Sequence, residues 1–500
     1  MQYSTHASAE NDEPPHRNKH ISAPMNPQHY KSIASNASFL ISAQLIVRLL
    51  RGFYIVLLIR YLGPELYGIF QYVQNWYVTF TPLTLFGIGA ILSREIGKNA
   101  QNGKDIIATT FITRFLSGLF FSVGALILGL LTEPDPDIRH LMIIFAALIF
   151  ARALVNWIKE VFIAYEKTKY HVVQVTLSNV LQIALGVGVM MQGGGMVALA
   201  SVYIGSLLLE FFICFIFIHR KIIQLHFELN ARKINTIIRQ GLPIGITVAL
   251  NRWMLFGPTI IGRYALDYKS NLGQISVVLL LLFFASLIVD AVLSAALPVL
   301  SRMMHQQKHG SSAFINLTLS LAIPLCCFIA LGGTAFSDEI ILILFGADYA
   351  LAGSILGPAL WLLLPYMWIS AISQMFILKH DTLRLSFWAL LGALWMSGLL
   401  PVLILKYDIL GVIFAIGIGM GITVCGLCYH GLKRGYIHPL HFKKMAALGG
   451  AALLTYICAQ NYVSPAQSFA LSALVLLPFI IRLAQHAVRT RRAQHKEHLS

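Results

Sequence analysis

The sequence predicts an all-α integral membrane protein with about 14 transmembrane helices, on three observations. The chain of 500 residues is 57% hydrophobic and only 12% charged, whereas soluble domains carry about 25% charged residues. Apolar segments of ~20 residues, the length that spans a bilayer, recur along nearly the whole chain. Lys and Arg concentrate in alternate loops, which is typical of multi-pass membrane proteins.

The segments divide the chain into two six-helix lobes and an appended helix pair. Residues 1–36 are polar, lack a signal-peptide core and predict a disordered cytoplasmic tail. An N-lobe (37–218, helices 1–6), a cytoplasmic linker (219–239), a C-lobe (240–430, helices 7–12), helices 13 and 14 (431–482) and a basic cytoplasmic tail (483–500) follow. The predicted spans are 37–59, 70–92, 106–131, 139–158, 170–191, 196–218, 240–262, 272–299, 312–334, 351–377, 384–404, 409–430, 444–461 and 467–482.

The charges orient these helices with both termini in the cytoplasm. In that orientation the outer loops hold few basic residues, namely Arg60, Arg139, Arg263, Lys269 and Lys406, and the other loop cations lie inside. This is the positive-inside rule. The net charge of +16 is therefore explained by topology and requires no nucleic-acid partner.

A weak internal repeat relates the two lobes. Arg60-Tyr61 after helix 1 recurs as Arg263-Tyr264 after helix 7, and a Leu-Ser-Arg exit from helix 2 recurs after helix 8. A repeat separated by six helices has the same orientation in both copies, as in transporters built from parallel repeats. Two such lobes facing one cavity predict transport by alternating access.

Charged residues inside the spans are the first candidate site. Each costs roughly 2.5–3.5 kcal/mol at a helix centre and therefore needs a partner or a wet cavity. We expect the near-central Arg48, Arg51 and Arg252 to bind an anionic ligand, since a guanidinium group binds phosphate oxygens bidentately. The remaining charges have two interpretations. They form structural ion pairs, in which Arg114 and Arg152 pair with Glu210 and Arg252 pairs with Asp290, or they line the cavity.

Aromatic and amide side chains extend the candidate cavity. Trp76 and Tyr77 in helix 2, and Tyr366, Trp368 and Gln374 in helix 10, are possible glycan-facing residues. An interfacial aromatic belt is the alternative interpretation. No catalytic residue, metal site or cofactor is predicted, and all six cysteines lie in apolar segments.

Several short sequence motifs resemble those of one protein family. "RYLGPELYGIFQ", "LSREIGK", "FIAYEKTKYHVVQ" and "LILFGADYALAGSIL" are similar, in order and spacing, to polysaccharide repeat-unit (O-antigen type) flippases of the multidrug/oligosaccharidyl-lipid/polysaccharide exporter superfamily. The resemblance covers about residues 36–480 and implies a two-lobed fold of twelve or fourteen helices. It also implies flipping of undecaprenyl-diphosphate-linked oligosaccharide across a bacterial inner membrane, for lipopolysaccharide or exopolysaccharide synthesis. Expected partners are that substrate, membrane lipids, and a polysaccharide polymerase with its export machinery.

One departure from the family concerns energy coupling. Helix 7 has Asn251-Arg252 where the family often has an acidic residue followed by a basic one. The coupling ion, H+ or Na+, therefore stays open. The rival functions are a multidrug or cation antiporter of the same fold, a polytopic glycan polymerase, and a non-transporting scaffold. The short outer loops and the excess of arginine over acid in the spans favour a flippase that is not an enzyme.

Overall fold

The computed structural model describes residues 27–435 except 85–87, 99–102, 222–230, 266–268, 307–309 and 380. The chain divides into two compact units, 1–46 and 47–500, and all side-chain contacts below belong to the second. No strand occurs in the described part. The α-helices are α1 Pro27–Phe80, α2 Ile88–Lys98, α3 Gly103–Thr132, α4 Pro136–Ala164, α5 Thr168–Met191, α6 Met196–Lys221, α7 Ala231–Ala265, α8 Lys269–Gln306, α9 Gly310–Ala335, α10 Ser337–Phe345, α11 Ala350–Leu360, α12 Leu363–Leu378, α13 Thr382–Tyr407 and α14 Ile409–Lys433.

The helices confirm the predicted all-α membrane fold. Among the described residues, 8 helices are long and apolar enough to cross a membrane, or up to 10 if each of two bent pairs is one span. Large apolar side chains such as Phe120, Met191 and Leu405 stay exposed on them, as expected of surfaces that face lipid. The predicted spans 444–461 and 467–482 lie outside the described residues.

α1 contains the predicted hairpin between the first two spans. Gly63 interrupts the helix with φ 70° and ψ 172°, and Pro64 follows. Tyr54 and Tyr77, on either side of this break, both lie beside Tyr203. A straight helix would separate them by ~35 Å at 1.5 Å per residue, so the chain reverses at the break. A positive φ of this kind favours glycine, which has no Cβ.

The segment before α11 differs from the predicted outer loop. Ser337–Phe345 forms a short helix, bent by 75° from α9, and α11 and α12 meet at 44° within one predicted span. Asp338 and Glu339 occupy the first turn of α10, where the helix dipole favours acidic residues. Acidic loop composition and an acidic helix start look alike in the sequence.

Glycines allow helices to approach closely, as two examples show. A Cβ on Gly392 of α13 would lie 2.4 Å from the carbonyl oxygen of Gly419 on α14. A Cβ on Gly273 of α8 would lie 1.9 Å from the carbonyl oxygen of Pro64. The second approach joins the α1 hairpin of the amino-terminal half (α1–α6) directly to the carboxyl-terminal half (α7–α14).

Candidate functional site

Arg152 of α4 lies at the centre of a polar group inside the amino-terminal half. Its Nε donates to the Tyr77 hydroxyl at 2.8 Å, and its Nη2 donates to the Tyr203 hydroxyl at 3.0 Å. The guanidinium carbon also lies 5.8 Å from the centroid of the Tyr203 ring. Both tyrosines are buried, whereas Arg152 is half-buried. The hydrogen-bond partners of Arg152 in the described structure are thus neutral hydroxyl groups. The suggested ion pair between Arg152 and Glu210 is not formed, and Glu210 Oε1 instead accepts a hydrogen bond from Gln174 Nε2 at 2.8 Å.

Arg51 of α1 approaches the same tyrosine from the first span. The side chain is exposed, and its Nη1 donates to Asn179 Oδ1 of α5 at 3.3 Å. Arg51 lies within electrostatic range of the Tyr203 hydroxyl group, to which Arg152 donates directly. Arg51, Arg152, Tyr77 and Tyr203 are called the arginine–tyrosine cluster below. The cluster brings together two arginines that the sequence assigned to different roles.

Arg114 of α3 belongs to a buried structural ion pair and not to the arginine–tyrosine cluster. Its side chain is fully buried, forms a salt bridge with Glu160 of α4, and donates to the carbonyl oxygen of Thr84. The sequence suggested Glu210 as its partner. Glu160 takes that place because α4 continues to Ala164, which keeps Glu160 within the helix rather than at its cytoplasmic end.

The carboxyl-terminal half contributes Arg252 and Asp290. The Arg252 guanidinium on α7 is half-buried and lies 5.7 Å from the Phe283 ring centroid. Asp290 of α8 accepts hydrogen bonds from the Tyr366 hydroxyl at 2.8 Å and from Ser370 Oγ at 3.3 Å. Arg252 and Asp290 form no salt bridge with each other, unlike the suggested pairing.

The other candidate residues are dispersed. Arg48 lies on α1, and its side chain is outside the described part of the structure. Trp76 stacks on Phe80 with centroids 5.6 Å apart, and lines a small apolar pocket together with Tyr77. Trp368 and Gln374 are half-buried on α12.

Several polar contacts connect the two halves at the predicted outer side. Arg263 Nη2 lies 3.1 Å from Glu133 Oε1, and the hydroxyl groups of Tyr72 and Tyr264 are 2.8 Å apart. Arg60 donates to two backbone carbonyls at the end of α10, those of residues 343 and 344. These contacts hold the halves together at one end of the molecule.

Comparison with known protein families shows which family the chain belongs to. Residues 33–304, more than half of the chain, match the family described as "Polysaccharide biosynthesis protein". The chain belongs to this family. A search of curated proteins gave no significant match.

Solved structures support the fold of this polysaccharide biosynthesis protein. The lipid II flippase MurJ in an inward closed conformation aligns with a TM-score of 0.70 at 16% identity, over 90% of this chain and 99% of that chain. An inward-facing multidrug resistance MATE transporter of the MOP superfamily gives a TM-score of 0.62 at 14% identity, over 81% and 95%. A MOP superfamily transporter from Pyrococcus furiosus gives 0.56 at 14% identity, over 79% and 92%. The architecture is thus that of membrane transporters and flippases.

Sequence reasoning predicted Tyr77 but missed Tyr203 of the cluster and Asn179 beside it. Tyr203 and Asn179 are ordinary polar residues in apolar helices, and nothing in their spacing links them to an arginine. Only packing of α1, α4, α5 and α6 brings them together. The described residues contain no group of three His, Cys, Asp or Glu side chains that is suited to a metal ion.

Proposed function

We propose that this protein is a flippase that moves undecaprenyl-diphosphate-linked oligosaccharide repeat units across the bacterial inner membrane for cell-surface polysaccharide synthesis. Membership of a polysaccharide biosynthesis family and the fold of a membrane transporter support the general class. The observation that supports a diphosphate-linked substrate is the arginine–tyrosine cluster. Arg51 and Arg152 form hydrogen bonds to Asn179, Tyr77 and Tyr203, all of them neutral.

An anionic diphosphate matches this arrangement chemically. An arginine carries five N–H donors and stays protonated at any relevant pH. Arg152 uses two nitrogens for tyrosines, which orient the guanidinium group and leave further donors for phosphate oxygens. Arg252, which lies over Phe283, places a further cation in the carboxyl-terminal half. Charge-assisted hydrogen bonds of this kind are about twice as strong as neutral ones.

The proposed transport cycle starts from a form in which the two halves are in contact at the predicted outer side. The lipid-linked substrate enters laterally from the inner leaflet, its diphosphate binds the arginines, and its prenyl chain stays in lipid. Export then requires the Glu133–Arg263 and Tyr72–Tyr264 contacts to open. We place both termini in the cytoplasm from the distribution of Lys and Arg. A polymerase and export machinery would take up the flipped units.

A cation or multidrug antiporter is the alternative, and Asp290 is the observation that favours it. Its carboxyl group has hydroxyl partners and no salt bridge to a described cation. A carboxylate of this kind can bind a cationic substrate. The likeness to MATE transporters is compatible with either function, because it shows the fold alone.

Complementation of a strain that lacks this gene tests the proposal. The strain receives the wild type or the variants Arg48→Gln, Arg51→Gln, Arg152→Gln and Arg252→Gln, with Arg232→Gln as a matched control at an exposed position. We expect surface glycan to fall and lipid-linked repeat units to accumulate in the inner leaflet for the four test variants, at unchanged membrane level of the protein. Normal glycan in the deletion strain, with altered sensitivity to cationic drugs, would favour the antiporter.

A further inference from the structure

Asn179 of α5 connects Arg51 of the first span to the backbone of its own helix. Its Oδ1 accepts a hydrogen bond from Arg51 Nη1 at 3.3 Å, and its Nδ2 donates to the carbonyl oxygen of Val175 at 2.7 Å. An asparagine amide has one acceptor oxygen and one donor nitrogen. A flipped amide would set its oxygen against the Val175 carbonyl and its nitrogen against the guanidinium donors. The two contacts therefore fix which end of the amide faces Arg51.

The packing of α1 against α5 fixes the position of this hydrogen bond. The buried Tyr54 side chain of α1 occupies the space that a Cβ on Gly186 of α5 would take, since that Cβ would lie 2.2 Å from the tyrosine hydroxyl oxygen. Beyond the end of α5, the Tyr61 hydroxyl donates to the carbonyl oxygen of Gly194 at 3.0 Å. The residue numbers in contact rise along both helices, so the two helices run in the same direction. The arginine–asparagine hydrogen bond is thus one of several contacts in a packed helix pair.

The partner of Arg51 is uncharged, in contrast to the partners of other arginines. Among the described residues, arginine salt bridges join Arg114 to Glu160, Arg263 to Glu133, and Arg384 and Arg434 to Asp381. An asparagine side chain carries no charge, so it orients the guanidinium group without neutralising it. An aspartate, which has nearly the same shape, would give Arg51 a carboxylate partner at the same place. The exposed Arg51 side chain thus keeps its full positive charge for a ligand.

We propose that Asn179 is a positioning residue for Arg51 and gives the site part of its preference for an anionic diphosphate headgroup. Bidentate hydrogen bonds to phosphate oxygens need a guanidinium group that is both oriented and fully charged. Asn179 supplies the orientation and leaves the charge uncompensated. It acts through Arg51 and forms no bond to the ligand. The inference rests on the proposed function, because it takes a diphosphate as the ligand of Arg51.

Calorimetry of prenyl phosphate binding to the full-length protein in detergent tests the role of Asn179. Geranylgeranyl diphosphate is the probe, and geranylgeranyl monophosphate, with the same prenyl chain and a smaller charge, is the reference. For Asn179→Asp we expect a diphosphate affinity about tenfold lower and a weaker preference over the monophosphate, because a carboxylate then faces Arg51. Asn179→Leu removes the acceptor without adding charge, so a loss of only about threefold is expected. Gln192→Glu adds the same charge about 20 Å along α5, at its exposed end, and should bind like the wild type.

A double variant separates positioning of Arg51 from a purely structural role. In the Arg51→Gln background, Asn179→Leu should have no further effect on diphosphate affinity, because no guanidinium group is left to orient. Wild-type affinity in Asn179→Asp, or an equal loss from Asn179→Leu with and without Arg51, would overturn the inference. So would a lower melting temperature of Asn179→Asp with an unchanged preference for the diphosphate. A wild type that does not prefer the diphosphate to the monophosphate would instead contradict the proposed function.

Discussion

Glu133 and Arg263 form an ion pair, 3.1 Å between Oε1 and Nη2, that joins the loop after α3 to the last turn of α7. The glutamate side chain is fully buried, and that of the arginine is 17% exposed. The next residue, Tyr264, pairs with Tyr72 from the α1 hairpin. Two consecutive residues of α7 thus each contact the amino-terminal half, so separating the halves at this side must break both contacts together.

Removing one member of this pair should destabilise the closed form. In Glu133→Gln, Arg263 keeps its charge in a largely buried position without its carboxylate partner, which costs about 2–3 kcal/mol after allowing for the partial exposure of the arginine. We expect a melting temperature several degrees below that of the wild type in detergent, measured by intrinsic fluorescence. The double variant Glu133→Gln/Arg263→Gln should lose less than the sum of the single variants.

Arg384→Gln is the matched control for this prediction. Arg384 pairs with Asp381 at 2.7 Å, but the arginine side chain is 40% exposed, and exposed pairs contribute about 0–1 kcal/mol. A shift in melting temperature as large as that of Glu133→Gln would mean that burial of the Glu133–Arg263 pair does not matter.

The Arg114–Glu160 pair should be required for stability rather than for ligand binding. Glu160→Gln leaves a fully buried guanidinium group without its carboxylate partner, and loss of such a partner typically costs about 3–5 kcal/mol. We expect a reduced membrane level of the protein by immunoblot, together with a lower melting temperature. Arg152→Gln, where the arginine is half-buried with neutral partners, should keep its level and lose export. Equal loss of protein in both variants would contradict this division of roles.

The sequence was sufficient for the fold but not for the site. Apolar runs and the Gly-Pro pair at residues 63–64 are local signals, and they predicted the all-α membrane fold and the first hairpin. The sequence did not predict the partner of Arg114, because that partner depends on how far α4 extends and how α3 packs on it. The predicted glycan-facing role of Tyr77 depends likewise on Arg152, which holds its hydroxyl group inside the amino-terminal half. Side-chain pairing between distant helices has no local signature in one sequence.

Close backbone approach at Gly273 should be necessary for closure of the predicted outer side. A Cβ there would lie 1.9 Å from the carbonyl oxygen of Pro64, so Gly273→Ala must push α8 away from the α1 hairpin. We expect lower thermal stability and reduced surface glycan in the complemented strain. Gly188→Ala is the matched control, because a Cβ at that helical position meets nothing within 4 Å. That control should be neutral or stabilising by about 0.5–1 kcal/mol. Equal behaviour of the two variants would show that the contact between the halves tolerates separation.

Asp290→Asn separates the two candidate functions most directly. The asparagine oxygen can still accept the hydrogen bond from the Tyr366 hydroxyl, so local packing should survive the change. A flippase that binds its substrate through arginines does not need the negative charge, and we expect surface glycan to stay close to the wild-type level. Arg252→Gln in the same helical half is the comparison that should lower it. A cation antiporter needs the carboxylate to bind its substrate. Loss of resistance to cationic drugs in Asp290→Asn, with surface glycan unaffected even by Arg252→Gln, would therefore support the antiporter function over the flippase function.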